Sequence, residues 1–172
     1  GPSEIKFSKE LTVKKVVSAD QMMDEVKKLL PVDIAVCAAA VSDYKPKKIN
    51  KNKLKKETTN NFDIKLEKNS DILEFLGKNN KARPKIVVGF SAETENVIKN
   101  SEKKLNNKYC DLIIANDVSK KNTGFNVDYN KISIIDKTGL IKKFPKNKKS
   151  FIAEIIVKKI IDKFLFNDKN IN

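Results

Sequence analysis

The chain has 172 residues, of which 40% are hydrophobic, and this size is enough for one domain with its own core. Its formal net charge is +14 at pH 7, but nearly all of the positive charge is lysine, and Arg83 is the single arginine. Because base readout relies on arginine forks, this balance argues against a sequence-specific nucleic-acid reader. The lack of histidine excludes the Ser-His triad and every histidine-containing zinc site. We therefore expect chemistry based on lysine, carboxylates, backbone amides or the substrate's own groups.

The two cysteines and the hydropathy pattern bear on location. Cys37 lies in a predicted buried strand and Cys110 at the start of another, which indicates core thiols in a reducing compartment. We find no signal peptide and no apolar run of membrane-spanning length, so we expect a cytoplasmic protein without membrane or nucleic-acid partners. Residues 1–3 resemble the remnant of a cleaved tag.

The first third of the chain predicts a strand, a helix and a second strand. Residues 14–17 form a short strand candidate, and residues 18–21 have the capping-box pattern that opens a helix, which Pro31 ends. Residues 34–39 are apolar without polar alternation, which predicts a strand covered by helices on both sheet faces.

A lysine- and asparagine-rich segment follows over residues 40–61, too long for a plain connection in a compact domain. We interpret it as a disordered excursion or as a mobile lid over residues 45–60. Residues 62–66 alternate like a half-exposed strand, and residues 69–71 can cap a short helix that ends near Gly77.

Strand and helix patterns then alternate. Residues 86–90 and 112–115 read as buried strands, and residues 94–108 between them as an amphipathic helix. Such βα units predict a Rossmann-like α/β fold in one domain, with a mostly parallel sheet flanked by helices.

The C-terminal part predicts a hairpin and a final helix. Residues 131–136 and 140–144 flank a turn at residues 137–139, and a helix over residues 150–166 precedes a tail, 167–172, that we expect to be frayed.

Three strand ends carry residues suited to binding. Segments 40–43, 90–96 and 115–119 each follow a predicted parallel strand, so they should converge at one sheet edge. The small residues 38–40 let a ligand approach the backbone, and Asp43 with the lysines that follow suits an anionic ligand. An ordinary strand-to-loop junction is the alternative.

Lys104 and Lys108 lie one helical turn apart and could together hold a polyphosphate, although a solvated lysine face has the same spacing. Neither GxxxxGK[ST] nor GxGxxG occurs in the chain.

Six motifs, in order and with compatible spacings, resemble bacterial phosphopantothenoylcysteine synthetase, and the resemblance extends from about Val13 to Leu165. The motifs are AAAVSDYKP, KLKK, KNSDIL, VGFSAETEN, KLNNKYCDLIIANDVS and GFNVDYN. The resemblance implies a ligase that joins 4′-phosphopantothenate to L-cysteine in coenzyme A biosynthesis, through an acyl-cytidylate formed from CTP. It also implies magnesium with the triphosphate, a homodimer with the hairpin as a plausible contact, and a fused or associated flavin-dependent decarboxylase.

The same resemblance implies roles for individual residues. Lys53 would reach the phosphates from the lid and take the catalytic role. Nucleotide contacts are implied for Ala38, Ala39, Ala40, Asp43, Asn69, Ser70, Asp71, Ile72, Phe90, Lys104 and Lys108.

The chain departs from the family pattern in two places. Ser70 stands where the family usually has proline, a change that a helix start tolerates. The family's glycine-rich first strand-turn-helix, with its SSG-type phosphate loop and an asparagine that handles the acyl-nucleotide, has no counterpart here. We therefore expect the C-terminal part of the synthetase domain, with a non-catalytic nucleotide-binding or assembly remnant as the alternative.

Overall fold

The computed structural model describes residues 7–48, 63–78, 81–119, 127–139 and 141–169. The elements in chain order are α1 (Ala19–Leu29), β1 (Ile34–Cys37), β2 (Tyr44–Pro46), β3 (Leu66–Lys68), α2 (Ile72–Lys78), β4 (Ile86–Glu93), α3 (Val97–Asn107), β5 (Leu112–Asp117), β6 (Tyr129–Asp136), β7 (Ile141–Lys148) and α4 (Lys149–Lys169). They form two compact units: Gly1–Lys28 with Ala39–Asp71, and Leu29–Ala38 with Ile72–Asn172. No helix among the described residues is long and apolar enough to cross a membrane.

The first unit contains a small antiparallel sheet and all of α1 except Leu29. Strands β2 and β3 pair with Tyr44 opposite Lys68. The capping box predicted for α1 is confirmed, because the Gln21 N–H donates to Ser18 Oγ at 3.2 Å and Gln21 Oε1 accepts the Ser18 N–H at 3.3 Å. The predicted strand at residues 14–17 is wrong, since no described strand pairs with this segment.

The second unit is built on a five-stranded sheet in the order β1-β4-β5-β6-β7. Strands β1, β4 and β5 are parallel, and β6 and β7 add to β5 as an antiparallel hairpin. The Rossmann-like α/β fold with a C-terminal hairpin is therefore confirmed. In the hairpin turn, Gly139 adopts φ 77, and the Thr138 N–H donates to Asp136 Oδ1 at 2.9 Å.

Helices cover the two faces of this sheet, and the alternation of strand side chains decides which residue meets which helix. On one face, α4 buries Ile152, Ile156 and Ile160 against a cluster that includes Ile86 and Val88. On the other face, Ser91 Oγ lies 2.5 Å from Ser101 Oγ of α3. Gly89 also faces that side, because a Cβ atom there would lie 2.7 Å from a Leu73 methyl carbon of α2.

Strand β1 differs from its prediction. It is shorter than residues 34–39, and in the described part of the chain it pairs only with β4, so Val36 remains 49% exposed. An apolar run thus marks this strand, but it does not reveal that β1 lies at the edge of the described sheet.

Three other elements differ in extent. Helix α3 begins at Val97 rather than Thr94, because β4 continues to Glu93 and Asn96 takes a left-handed conformation with φ 47. Strand β3 covers residues 66–68 rather than 62–66, and α4 continues to Lys169, beyond the predicted end at 166.

Candidate functional site

The first unit brings together two of the predicted site segments, which are far apart in the sequence. Asn69 Nδ2 donates to the carbonyl oxygen of Ser42 at 2.7 Å, and the Asn69 N–H donates to the carbonyl oxygen of Asp43 at 2.9 Å. The pairing of Tyr44 with Lys68 fixes this register, because it places the residues before β2 beside those after β3. The predicted residues Asp43 and Asn69 therefore lie at one junction.

An acceptor atom at this junction has no partner in the part of the chain that the structure describes. Asn69 Oδ1 is buried, and no donor among the described residues reaches it. Buried polar atoms are almost always hydrogen-bonded, so this acceptor marks a place for a donor that the described residues do not supply. The adjoining Ala39 and Ala40 are exposed, as are Asp43 and Ser70. A ligand can therefore reach the backbone here.

Lys45, at the start of the predicted lid, is held in place by two carboxylates. Its Nζ lies 2.5 Å from Asp20 Oδ2 and 3.7 Å from Glu67 Oε1, and the bond to Asp20 raises the pKa of Lys45. Residues 45–46 thus belong to a paired strand rather than to a lid. Residues 49–60, including Lys53, lie outside the described residues, so the predictions for them stay untested.

The second unit contains further predicted residues in different settings. Ala38 follows the last pair between β1 and β4 and is exposed, whereas Ile72 begins α2 and is only 8% exposed. Phe90 is half-buried and packs against the cluster on the α4 face of the sheet.

Lys104 and Lys108 lie at the C-terminal end of α3, but Lys108 is not a solitary cation. Lys108 Nζ is 2.9 Å from Glu74 Oε2, and Lys78 Nζ contacts Glu74 Oε1. The hydrogen bond from Lys78, then that from Lys108, lowers the pKa of Glu74 to about 2. The carboxylate therefore stays ionised at neutral pH.

The sheet separates Phe90 from these lysines. Phe90 faces α4, whereas Ser91, the next residue, faces α3 through its contact with Ser101. Helix α3 also starts after the carboxyl end of β4 and runs back to precede β5, which takes Lys108 toward the amino end of the strands. The second unit alone does not unite Phe90 with Lys104 and Lys108 in one pocket.

The predicted convergence of segments 90–96 and 115–119 is confirmed, because Glu93 pairs with Asp117 at the carboxyl ends of β4 and β5. Sequence reasoning missed the contribution of β6 to this edge. Asn130 Nδ2 donates to Asn116 Oδ1 at 3.4 Å, and Lys131 Nζ lies 3.3 Å from Asp117 Oδ2. Strand β6 is antiparallel to β5 and starts beside the end of β5, so its first residues lie at this edge of the sheet. The predicted hairpin was the one signal in the sequence that could have indicated this contribution.

A buried carboxylate fixes the segment between α3 and β5. Asp111 accepts hydrogen bonds at 2.8 Å from Arg83 Nη2, from Lys137 Nζ and from the Val87 N–H. Burial raises the pKa of Asp111, but these bonds together lower it by more than burial raises it. The net pKa therefore lies below its usual value. Because Arg83 also donates to the carbonyl oxygen of Tyr109 at 3.0 Å, the network anchors the residues next to Lys108.

A separate cavity of about 290 Å³ lies between the hairpin and α4. Ile134, Phe144 and Ile155 are among its apolar walls, and Lys142 and Asp136 are among its charged ones. No predicted site residue lines it. Within the described ranges there is no group of three histidine, cysteine, aspartate or glutamate residues that could hold a metal ion.

Comparison with known proteins shows the family. The model of the DNA/pantothenate metabolism flavoprotein C-terminal domain matches residues 1–164. The coenzyme A biosynthesis bifunctional protein CoaBC of Borreliella burgdorferi is 38% identical over 160 residues, which cover 92% of this chain and 40% of that protein. The chain spans less than half the length of the curated relatives it matches.

Solved structures agree in fold. The crystal structure of the C-terminal domain of CoaBC superposes with a TM-score of 0.75 at 30% identity, over 97% of this chain and 72% of that one. A mutant of Cab2 in complex with phosphopantothenate-cysteine gives a TM-score of 0.62 at 18% identity, over 90% of this chain and 54% of that one, which shows a shared fold. Since the family match covers nearly the whole chain, the protein belongs to the family of the DNA/pantothenate metabolism flavoprotein C-terminal domain.

Proposed function

We propose that the chain is the nucleotide-binding part of a phosphopantothenate–cysteine ligase that uses CTP. The observation that supports this most directly is the junction of Asp43 with Asn69, where two motifs of the synthetase meet beside exposed alanines and a buried acceptor that no described residue bonds. Family membership supports this reaction class, and the similarity to CoaBC supports a role in coenzyme A biosynthesis.

The reaction proceeds in two steps that need no histidine. The carboxylate of 4′-phosphopantothenate attacks the α-phosphorus of CTP, which forms an acyl-cytidylate and releases pyrophosphate. The amine of L-cysteine then attacks the acyl carbon, which forms the amide and releases CMP. Both nucleophiles belong to the substrates, so the protein's task is to align them and to stabilise charge at the phosphates.

Within this scheme the junction holds the nucleotide. Exposed Ala39 and Ala40 leave the backbone open to the flat face of a base or to a ribose, because their side chains are small. Asn69 Oδ1 accepts an N–H or O–H of the nucleotide, while its Nδ2, already bonded to the Ser42 carbonyl, holds the amide in place. For the second unit we propose, on the ground of the motif resemblance, that Lys104 and Lys108, one helical turn apart at the end of α3, bind phosphate.

Magnesium enters as MgCTP, the usual form of a nucleoside triphosphate substrate. We further propose a homodimer, a fused or associated flavin-dependent decarboxylase, and a cytoplasmic setting, which suits the two cysteines, Cys37 and Cys110, as reduced thiols.

Calorimetric titration of the chain with MgCTP and MgATP tests the proposal. We expect MgCTP to bind more tightly than MgATP, and Asn69→Ala to weaken MgCTP binding because it removes the unpartnered acceptor. Asn147→Ala, which removes a half-buried amide from β7 whose Oδ1 accepts the Lys148 N–H at 2.8 Å, serves as the matched control and should bind like the parent. Equal affinity for both nucleotides, or equal effects of the two variants, would contradict the proposed site.

A further inference from the structure

Glu74 forms ion pairs with two lysines near the end of α3. One of its carboxylate oxygens contacts Lys78 and the other lies 2.9 Å from Lys108 Nζ. The side chains of Glu74 and Lys108 are 32% and 26% exposed, so an incoming anion can still reach the pair. The carboxylate thus already takes one of the three N–H donors of Lys108 that a phosphate oxygen could use.

Backbone packing holds this pair together. A Cβ atom on Gly77 of α2 would overlap the carbonyl oxygen of Lys108, so α2 approaches the end of α3 as closely as glycine permits. Arg83 Nε donates to the carbonyl oxygen of Gly77 at 2.9 Å, and Arg83 Nη2 donates to the carbonyl oxygen of Tyr109 at 3.0 Å. Arg83 thus links the end of α2 to the residues that follow α3. Glu74 and Lys108 therefore face each other because their backbones are fixed.

We propose that Glu74 is an intramolecular counter-ion that competes with the nucleotide phosphates for Lys108 and so limits the affinity of the site. This inference rests on the proposed function, in which Lys108 binds the triphosphate. An anion at Lys108 must displace the carboxylate or lie beside it, and like charges at that range repel. Because Glu74 stays ionised at neutral pH, the competition is always present in the working enzyme.

The test is calorimetric titration of MgCTP into the parent chain, Glu74→Gln and Glu102→Gln. Glu102 lies on α3, and its substitution changes the net charge by the same amount as that of Glu74. Since exposed ion pairs contribute at most about 1 kcal/mol, we expect Glu74→Gln to tighten MgCTP binding about threefold to fivefold and Glu102→Gln to change it by less than about 1.5-fold. Combined with Lys108→Ala, Glu74→Gln should give no gain.

The other outcomes separate the two proposals. If the parent binds MgCTP but Glu74→Gln binds it no more tightly, or more weakly, the counter-ion role is overturned. The proposed function is then unaffected. An equal gain in Glu102→Gln also overturns it, because the effect is then diffuse. Failure of every variant to bind MgCTP overturns both proposals. Melting temperatures within a few degrees of the parent show that the variants are folded.

Discussion

Removal of the Asp111 carboxylate should destabilise the protein strongly, because three donors depend on it. The side chain is only 11% exposed and accepts 2.8 Å hydrogen bonds from Arg83, Lys137 and the Val87 N–H. Asp111→Ala leaves a buried N–H without an acceptor, which costs about 1–3 kcal/mol. It also leaves Arg83 without its anion, and breaking a buried pair costs about 3–5 kcal/mol.

These two costs do not simply add. Lys137 is 52% exposed and Arg83 24% exposed, so water can solvate both cations after the substitution. We therefore expect Asp111→Ala to lower the free energy of unfolding by about 2–4 kcal/mol, as measured by urea denaturation monitored by circular dichroism. Asp33→Ala is the matched control, because Asp33 is 68% exposed and its pair with Lys85 spans 3.5 Å. It should cost less than about 0.5 kcal/mol.

The pH dependence provides a second measurement on the same variant. The folded protein lowers the pKa of Asp111 below its unfolded value, so the carboxylate contributes stability above the unfolded pKa of about 3.9 and loses it as pH falls through the folded pKa. The difference between parent and Asp111→Ala should accordingly be full at pH 7 and shrink below about pH 4. Equal destabilisation by Asp111→Ala and Asp33→Ala, or a difference independent of pH, would refute the reasoning.

Three further predictions concern the packing, the phosphate site and the thiols. Gly77→Ala should lower the free energy of unfolding by more than about 1 kcal/mol in urea denaturation, because the added methyl overlaps a backbone carbonyl that cannot move aside; an unchanged midpoint would contradict the close packing. Lys104→Ala should weaken MgCTP binding about tenfold, through loss of a charge-assisted hydrogen bond, while Lys103→Ala on the same helix stays within about twofold; equal losses would indicate diffuse electrostatics. Burial raises the pKa of Cys110 to about 12, so iodoacetamide at pH 8 should label Cys37 first and Cys110 only after unfolding. Peptide mass spectra that show rapid labelling of Cys110 in the native protein would contradict this burial.

Local patterns predicted much of the fold, and long-range pairing explains the rest. The apolar runs that begin at Ile86 and Leu112 mark β4 and β5, because strands covered on both faces need apolar side chains throughout. The capping box at Ser18 marks the start of α1, since its hydrogen bonds link neighbours in the sequence. The edge position of β1 depends on which strand pairs beside it, and the run at residues 34–39 does not contain that information.

The candidate site shows the same division. The alanines and Asp43 could be found in the sequence, because small residues and a carboxylate at a strand end form a local pattern. The unpartnered state of Asn69 Oδ1 and the pairing of Glu74 with Lys108 could not, since each depends on contacts between distant segments. Spacing within α3 alone suggested that Lys108 was available to a phosphate.

The most direct measurement of the central claim is turnover by this chain extended with the family's glycine-rich first strand-turn-helix, supplied with 4′-phosphopantothenate, L-cysteine and MgCTP. Mass spectrometry should detect phosphopantothenoylcysteine and CMP, and a coupled assay should detect one pyrophosphate for each product molecule. With cysteine omitted, the acyl-cytidylate should accumulate to no more than one molecule per site. Binding of MgCTP without any product or acyl-cytidylate would contradict the ligase assignment and favour a non-catalytic nucleotide-binding module.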